Sequence, residues 1–308
     1  MPGPAIPRWF LVLVIIPGTL YAGAMAVLFA RALFEIPLTA SFFETYPGDG
    51  APWPDQPVGF PAWLSWTHFL NFFFLLFVVR SGLLIRRGQR PPSFVTRRAA
   101  GATRLPLHTW WHLVVDVLWV LNGVVYLVLL VVSGQWMRLV PASWDVIPNA
   151  ISAGIQYLSL DWPTHDGWVH YNALQLLLYG FTVFVAGPLA VLTGLRLSPI
   201  WPRRPSLVNR TFSEARARAL HWWIAVYVIL FTIVHGGLVL TTGAVRNLNH
   251  MYAGTDDDGW TGAIVFGVSL VVTVVAAVVL TPRVQTRLAE QARNDVRRMP
   301  PAPPKERP

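Results

Sequence analysis

The chain contains no cysteine. That absence excludes thiolate-held iron–sulfur clusters, a CxxCH covalent cofactor attachment and any disulfide within the chain. Charge is scarce too: Asp, Glu, Lys and Arg make up 13% of the 308 residues, about half the share of an ordinary soluble domain. With 54% of residues hydrophobic, two soluble domains are excluded and an integral membrane protein is expected. Six apolar segments are long enough to span, at about Trp9–Leu33, Pro61–Ile85, His108–Val132, His170–Leu195, Ala219–Thr242 and Trp260–Leu280. They predict an all-α bundle with little mass left for a separate globular domain.

A net charge of +9 looks at first like a nucleic-acid signal, but its distribution follows the membrane. Of 24 basic residues, 21 lie before the first span, between Arg80 and Arg104, between Arg196 and Arg218, or from Arg283 onward. The opposite side holds only Arg31, Arg138 and Arg246, together with ten of the fifteen acidic residues. The positive-inside rule then places both termini and the two arginine-rich loops in the cytoplasm, and no nucleic-acid partner is expected. The loop after the second span reads as solvated and drawn to anionic lipid.

The apolar run from Phe10 ends near Ala22, Gly23 and Ala24 like a cleavable signal, yet apolar sequence continues to Phe34, which favours an uncleaved span. A Pro- and Gly-rich outer segment follows. Between the third and fourth spans, the Asp145–Leu160 stretch reads as an interfacial helix, and Pro188 should kink the fourth span. His165 and His170 read as interfacial or quinone-side residues. The basic stretch to Arg298 and the proline-rich end read as disordered. Three regions are expected: 1–60, one span and an outer loop; 61–259, a four-span core; and 260–308, a last span and a cytoplasmic tail.

The chemistry lies in histidines that apolar spans do not ordinarily carry. His221 and His235 share the fifth span fourteen residues apart, which on an α-helix is about 21 Å of rise and brings both rings to one face. Imidazole is a standard axial ligand of haem iron. In the second span His68 lies 18 residues before Arg86, as His235 lies 17 after Arg218, so their depths match and the two can share an iron. In the third span His112, with His108 as the alternative, should meet His221 at a second, inner iron. Without cysteine any haem is b-type, so two haem b are expected. Asp116, one turn beyond His112, either accepts a ligand's free ring N–H or exchanges protons with a quinone. Arg246 is a candidate partner for haem propionates.

The same residues resemble a known family. His68 with Asn71 and Ser81-Gly82, the His112 region followed by Gly123, Tyr171-Asn172 with Gln175, Thr193-Gly194, and His221 with His235 resemble the four-helix core of bacterial di-haem cytochromes of the b561 type. These include membrane subunits of formate dehydrogenases and nickel-iron hydrogenases. The strings HYNALQ, LAVLTGLRLSP and VRNLNHMYAGTDD look closest to members that occur with sulfite-oxidase-like molybdopterin oxidoreductases. The resemblance spans roughly Pro61 to Trp260. It implies a di-haem core in spans two to five, in a bacterial cytoplasmic membrane, passing electrons between an oxidoreductase subunit and the quinone pool. Two other readings stay open: a haem-free transporter or anchor whose histidines serve protons or packing, and a stand-alone transmembrane reductase.

Overall fold

The computed structural model describes residues 8–98, 102–162, 167–202 and 206–300. The protein is an all-α membrane protein. Six helices are long and apolar enough to cross a bilayer: Val12–Glu35, Ala62–Arg86, Leu107–Val132, Ala173–Leu197, Glu214–Thr241 and Thr261–Val279. Large apolar side chains such as Leu28, Val132, Ile233 and Val271 are exposed along them. Hydrocarbon solvates such faces, and closed intrahelical hydrogen bonding satisfies the backbone there.

The chain divides into two compact units, Met1–Val58 with Gly134–Thr182, and Gly59–Ser133 with Val183–Pro308. The loop after the third span thus groups with the N-terminal segment and the first half of the fourth span. In the first unit the helix expected near residues 145–160 forms over Val146–Ser159, and Leu160 leaves it in a left-handed conformation. Val146 and Ala150 pack on Ala173 and Leu176 of the fourth span. Asn172 caps that span through a reciprocal capping box with Gln175. Arg138, almost fully buried, donates to the carbonyls of Trp168 and Gly167 and lies over the Tyr171 ring. At Gly180 an added Cβ would stand 2.5 Å from the Leu139 carbonyl oxygen, so only glycine allows that approach. His165 lies outside the described residues, and His170 stands 3.7 Å from Asp49.

The fourth span contains a π-helical turn at Thr182–Ala186, immediately before Pro188 at the start of the next helical segment. A proline lacks the N–H of a regular helix and clashes with the carbonyl four residues back, and the widened turn absorbs both effects.

In the second unit, Phe77 of the second span packs with Trp111 and Val115 of the third, and Ala276 and Ala277 of the sixth, with Leu280 just beyond it, close over them. Asn122 donates to the Thr67 carbonyl and Trp119 to Asn71, joining the second and third spans by polar bonds. Fully buried Asn249 donates to the carbonyls of Asp257 and Gly259 and accepts from the Gly262 N–H, which ties the loop to the sixth span.

The disorder expected of the basic tail is corrected here, and the loop after the second span, exposed along its arginines, is ordered as a strand. Ser93–Arg97 (β1) pairs antiparallel with Arg104–Pro106 (β2) and with Asn294–Arg298 (β3), in the order β2-β1-β3. Between the sixth span and β3 runs an amphipathic helix, Pro282–Gln291, capped by Thr281. Its Ala289 packs with Val95, Val296, Leu107 and Trp110. Two segments that are polar along the chain become ordered because their alternate residues bury one another. The proline-rich end beyond residue 300 lies outside the described residues.

Candidate functional site

The second unit brings the four expected histidines together in two pairs. His68 faces His235 with ring centroids 6.3 Å apart, and His112 faces His221 at 6.4 Å. The rings are steeply inclined, at 62° and 75°, rather than stacked. A metal held between two Nε2 atoms at bonds of about 2 Å, with each ring centre a further ~1.1 Å behind its nitrogen, sets the ring centres roughly 6.3 Å apart. Both pairs have that spacing.

Hydrogen bonding sets the tautomer of the inner pair. Ser81 donates its hydroxyl hydrogen to the Phe77 carbonyl at 2.6 Å and sits 2.9 Å from His112 Nδ1. With that hydrogen committed, Oγ accepts from Nδ1–H, which leaves Nε2 with its lone pair. Thr193 repeats the arrangement in the fourth span, donating to Leu189 at 2.6 Å and facing His221 Nδ1 at 2.8 Å. The glycine that follows each hydroxyl lies beside the ring: a Cβ at Gly82 would stand in ordinary contact 3.4 Å from His112 Cε1, and one at Gly194 3.6 Å from His221 Cε1. Ser81-Gly82 and Thr193-Gly194 are therefore equivalent cradles in two neighbouring helix pairs. The sequence carried this signal as a hydroxyl-glycine dipeptide in each of two apolar spans.

Of the two roles expected for Asp116, that of accepting a ligand's ring N–H goes to another residue. Its Oδ2 stands 3.5 Å from His112 Nε2, beyond a well-formed hydrogen bond, while His112 Nδ1 meets Ser81. Asp116 therefore lies on the side of the ring that faces the pair. His108 is buried and lines a cavity of about 20 Å³ with Arg80, Ser81, Trp111 and Gln285; of the two third-span candidates, His112 is the ring that meets His221.

The outer pair is held by aromatic contacts. Phe231, one turn before His235, stacks on its ring at 5.6 Å with 2° between planes. Tyr252 meets His68 edge-on at 6.1 Å, and burial pushes the Tyr252 phenol up to about 12, so it stays neutral. His68 Nδ1 is buried without a hydrogen-bond partner, an arrangement that ordinarily costs about 1–3 kcal/mol. Arg246 holds Asp256 through Nε and Nη2 at 2.8 and 3.1 Å, and His250 Nε2 reaches the same carboxylate at 2.7 Å. These contacts hold the Asp256 carboxyl down to about 2, Arg246 first and His250 second. A propionate role for Arg246 therefore competes with a carboxylate of its own chain.

No family model, curated protein or solved structure matches this chain. Among the described residues no group of three or more His, Asp or Glu side chains is arranged to hold a metal ion. What the donor set fits is a metal that brings its own equatorial ligands and needs one imidazole on each side, and a haem is such a group.

Proposed function

We propose that this chain is a membrane b-type cytochrome holding two haem b, one between His68 and His235 and one between His112 and His221. The observation that carries the reading is the pair of ring separations, 6.3 and 6.4 Å, between histidines of different spans. The inner-pair tautomer, with Nε2 left unprotonated by the bonds from Ser81 and Thr193, supports it.

When bound, each haem supplies one-electron exchange between Fe(III) and Fe(II). The chain's part is positional. Ser81 and Thr193 fix ring orientation and raise ligand basicity, Phe231 braces His235, and apolar spans keep water from both sites. Two histidines per iron leave no open position for a substrate, which favours electron transfer over catalysis within this chain. His221 and His235 share one helix fourteen residues apart, so the two sites are offset by about 21 Å along it, a disposition suited to moving charge across the membrane.

By the resemblance, the route joins an oxidoreductase subunit, of the molybdopterin-dependent kind in the nearest-looking members, to the quinone pool of a bacterial cytoplasmic membrane. Asp116, beside the inner pair, is the group placed to exchange a proton with quinone there. The arginine asymmetry supports cytoplasmic termini.

The test is a reduced-minus-oxidised visible spectrum of the detergent-purified protein, with haem quantified as pyridine haemochrome against protein. About two b haems per chain is the expected outcome. No haem, after supplementation during expression, overturns the proposal and leaves a haem-free transporter or anchor.

A further inference from the structure

The segments flanking β1–β3 hold a concentration of charge that the electron-transfer reading does not use. Between Arg80 and Arg104 and between Pro282 and Arg298 there are twelve arginines and two carboxylates, Glu290 and Asp295. Lysine is absent from both stretches; the chain's one lysine is Lys305. Arginine's planar fork matches the oxygens of a phosphate, whereas lysine offers a point charge.

The register sorts these side chains. Val95 pairs with Val296, and this face is covered by Ala289, Leu107 and Trp110. Phe94 pairs with Arg297 and Pro106, and Thr96 with Asp295 and Arg104, so these residues share the opposite face. There Arg98 is paired with Asp295 at 2.8 Å, while the Arg104 guanidinium lies 4.1 Å over the Phe94 ring. Arg297 stands across from Phe94 on the other side. Arg104 and Arg297 are both exposed, and neither is paired with a carboxylate among the described residues. The result is an aromatic floor flanked by two guanidinium groups, with the one acid on that face already neutralised.

Covalent connection sets the depth of this face. β2 runs directly into the third span at Leu107, and the Pro282–Gln291 helix begins two residues after the sixth span ends. The sheet cannot stand far from the headgroup layer of the bilayer those spans cross.

We propose that this face of the sheet, through Arg104 and Arg297 beside Phe94, binds the phosphate groups of anionic phospholipids. The assignment does not depend on the haem reading. Charge complementarity and membrane depth select lipid over a soluble acidic protein, because each basic residue near an anionic bilayer surface contributes about fivefold to association. The C-terminal strand then acts as a lipid-anchored clasp on the ends of the second and third spans.

The test uses the full chain in nanodiscs containing phosphatidylcholine and phosphatidylglycerol, followed by detergent extraction and quantification of co-purified lipid by mass spectrometry. Preferential retention of phosphatidylglycerol is expected, reduced at least fivefold in Arg104→Gln/Arg297→Gln and clearly less in the charge-matched control Arg210→Gln/Arg218→Gln, where Arg218 is already paired with Glu214. Asp295→Asn, which releases Arg98 from its partner, is expected to increase retention; it keeps the test decisive if the double variant folds poorly. Equal retention of the two lipids, or equal losses in double variant and control, overturns the proposal. So does binding of soluble polyglutamate, lost in the double variant, without any lipid preference, which would make the face a protein-docking surface.

Discussion

Thr193→Val tests whether the hydroxyl cradle sets the ligand geometry. Valine keeps the shape of threonine but removes the acceptor 2.8 Å from His221 Nδ1. The ring then keeps only the Ala190 backbone carbonyl as a partner and loses the hydroxyl that fixes its orientation toward His112. Loss of such an orienting partner ordinarily lowers metal affinity about 10–100-fold, or roughly 1.4–2.7 kcal/mol. The assay is haem titration of apo-protein in detergent, following the two binding phases by Soret absorption. Only one phase should weaken, since His68 and His235 lie at the other depth and make no contact with Thr193. Thr193→Ser, which keeps the hydroxyl, should bind like the parent. Unchanged affinity in the valine variant would refute the claim that this hydrogen bond positions His221; equal weakening of both phases would show general loss of structure.

His235→Ala should lose one of two haems by pyridine haemochrome, because His68 then lacks its partner, and a variant retaining both refutes that pairing. Gly180→Ala should lower the thermal midpoint, with a cost of about 1–3 kcal/mol for overpacking, because its methyl meets the Leu139 carbonyl at 2.5 Å; an unchanged melt would mean that the segment relaxes freely. Asp256 titrates near about 2 in the fold and near 3.9 when unfolded. Its contribution to stability is complete above the unfolded value and is lost as pH falls through the folded one. Between pH 5 and 2 the thermal midpoint of the parent should therefore drop more than that of Asp256→Asn, and parallel curves would refute the Arg246–Asp256–His250 cluster as a stabilising contact.

The six spans, their limits to within a few residues, the helix near residues 145–160 and the depth match of His68 with His235 were all legible along the chain. Helical rise is constant, so counting residues from the arginines measures depth without knowledge of neighbours. The pairing of His68 with His235 followed from that count, and the fold makes it. For His221 the count leaned toward His108, the deeper His112 being preferred because a histidine inside a span needs a reason; the fold pairs His221 with His112. His108 and His112 are one turn apart on one helical face, and only the rotation of the third span against the fifth decides which ring meets His221. Asp116 shows the same limit: its spacing promised a hydrogen bond to a ligand, and the bond went to Ser81 from another span.

The basic tail read as disordered because it has no apolar face long enough to be recognised locally. Its order comes from β1, about two hundred residues earlier, whose Val95 supplies the partner for Val296. The sequence by itself determined six segments long and apolar enough to cross a membrane and the histidines they carry, since hydropathy and helical rise are properties of a single segment. The tertiary structure decided which histidine rings pair, which hydroxyls orient them and where the arginines gather, because each depends on side chains from segments far apart in sequence meeting at one place.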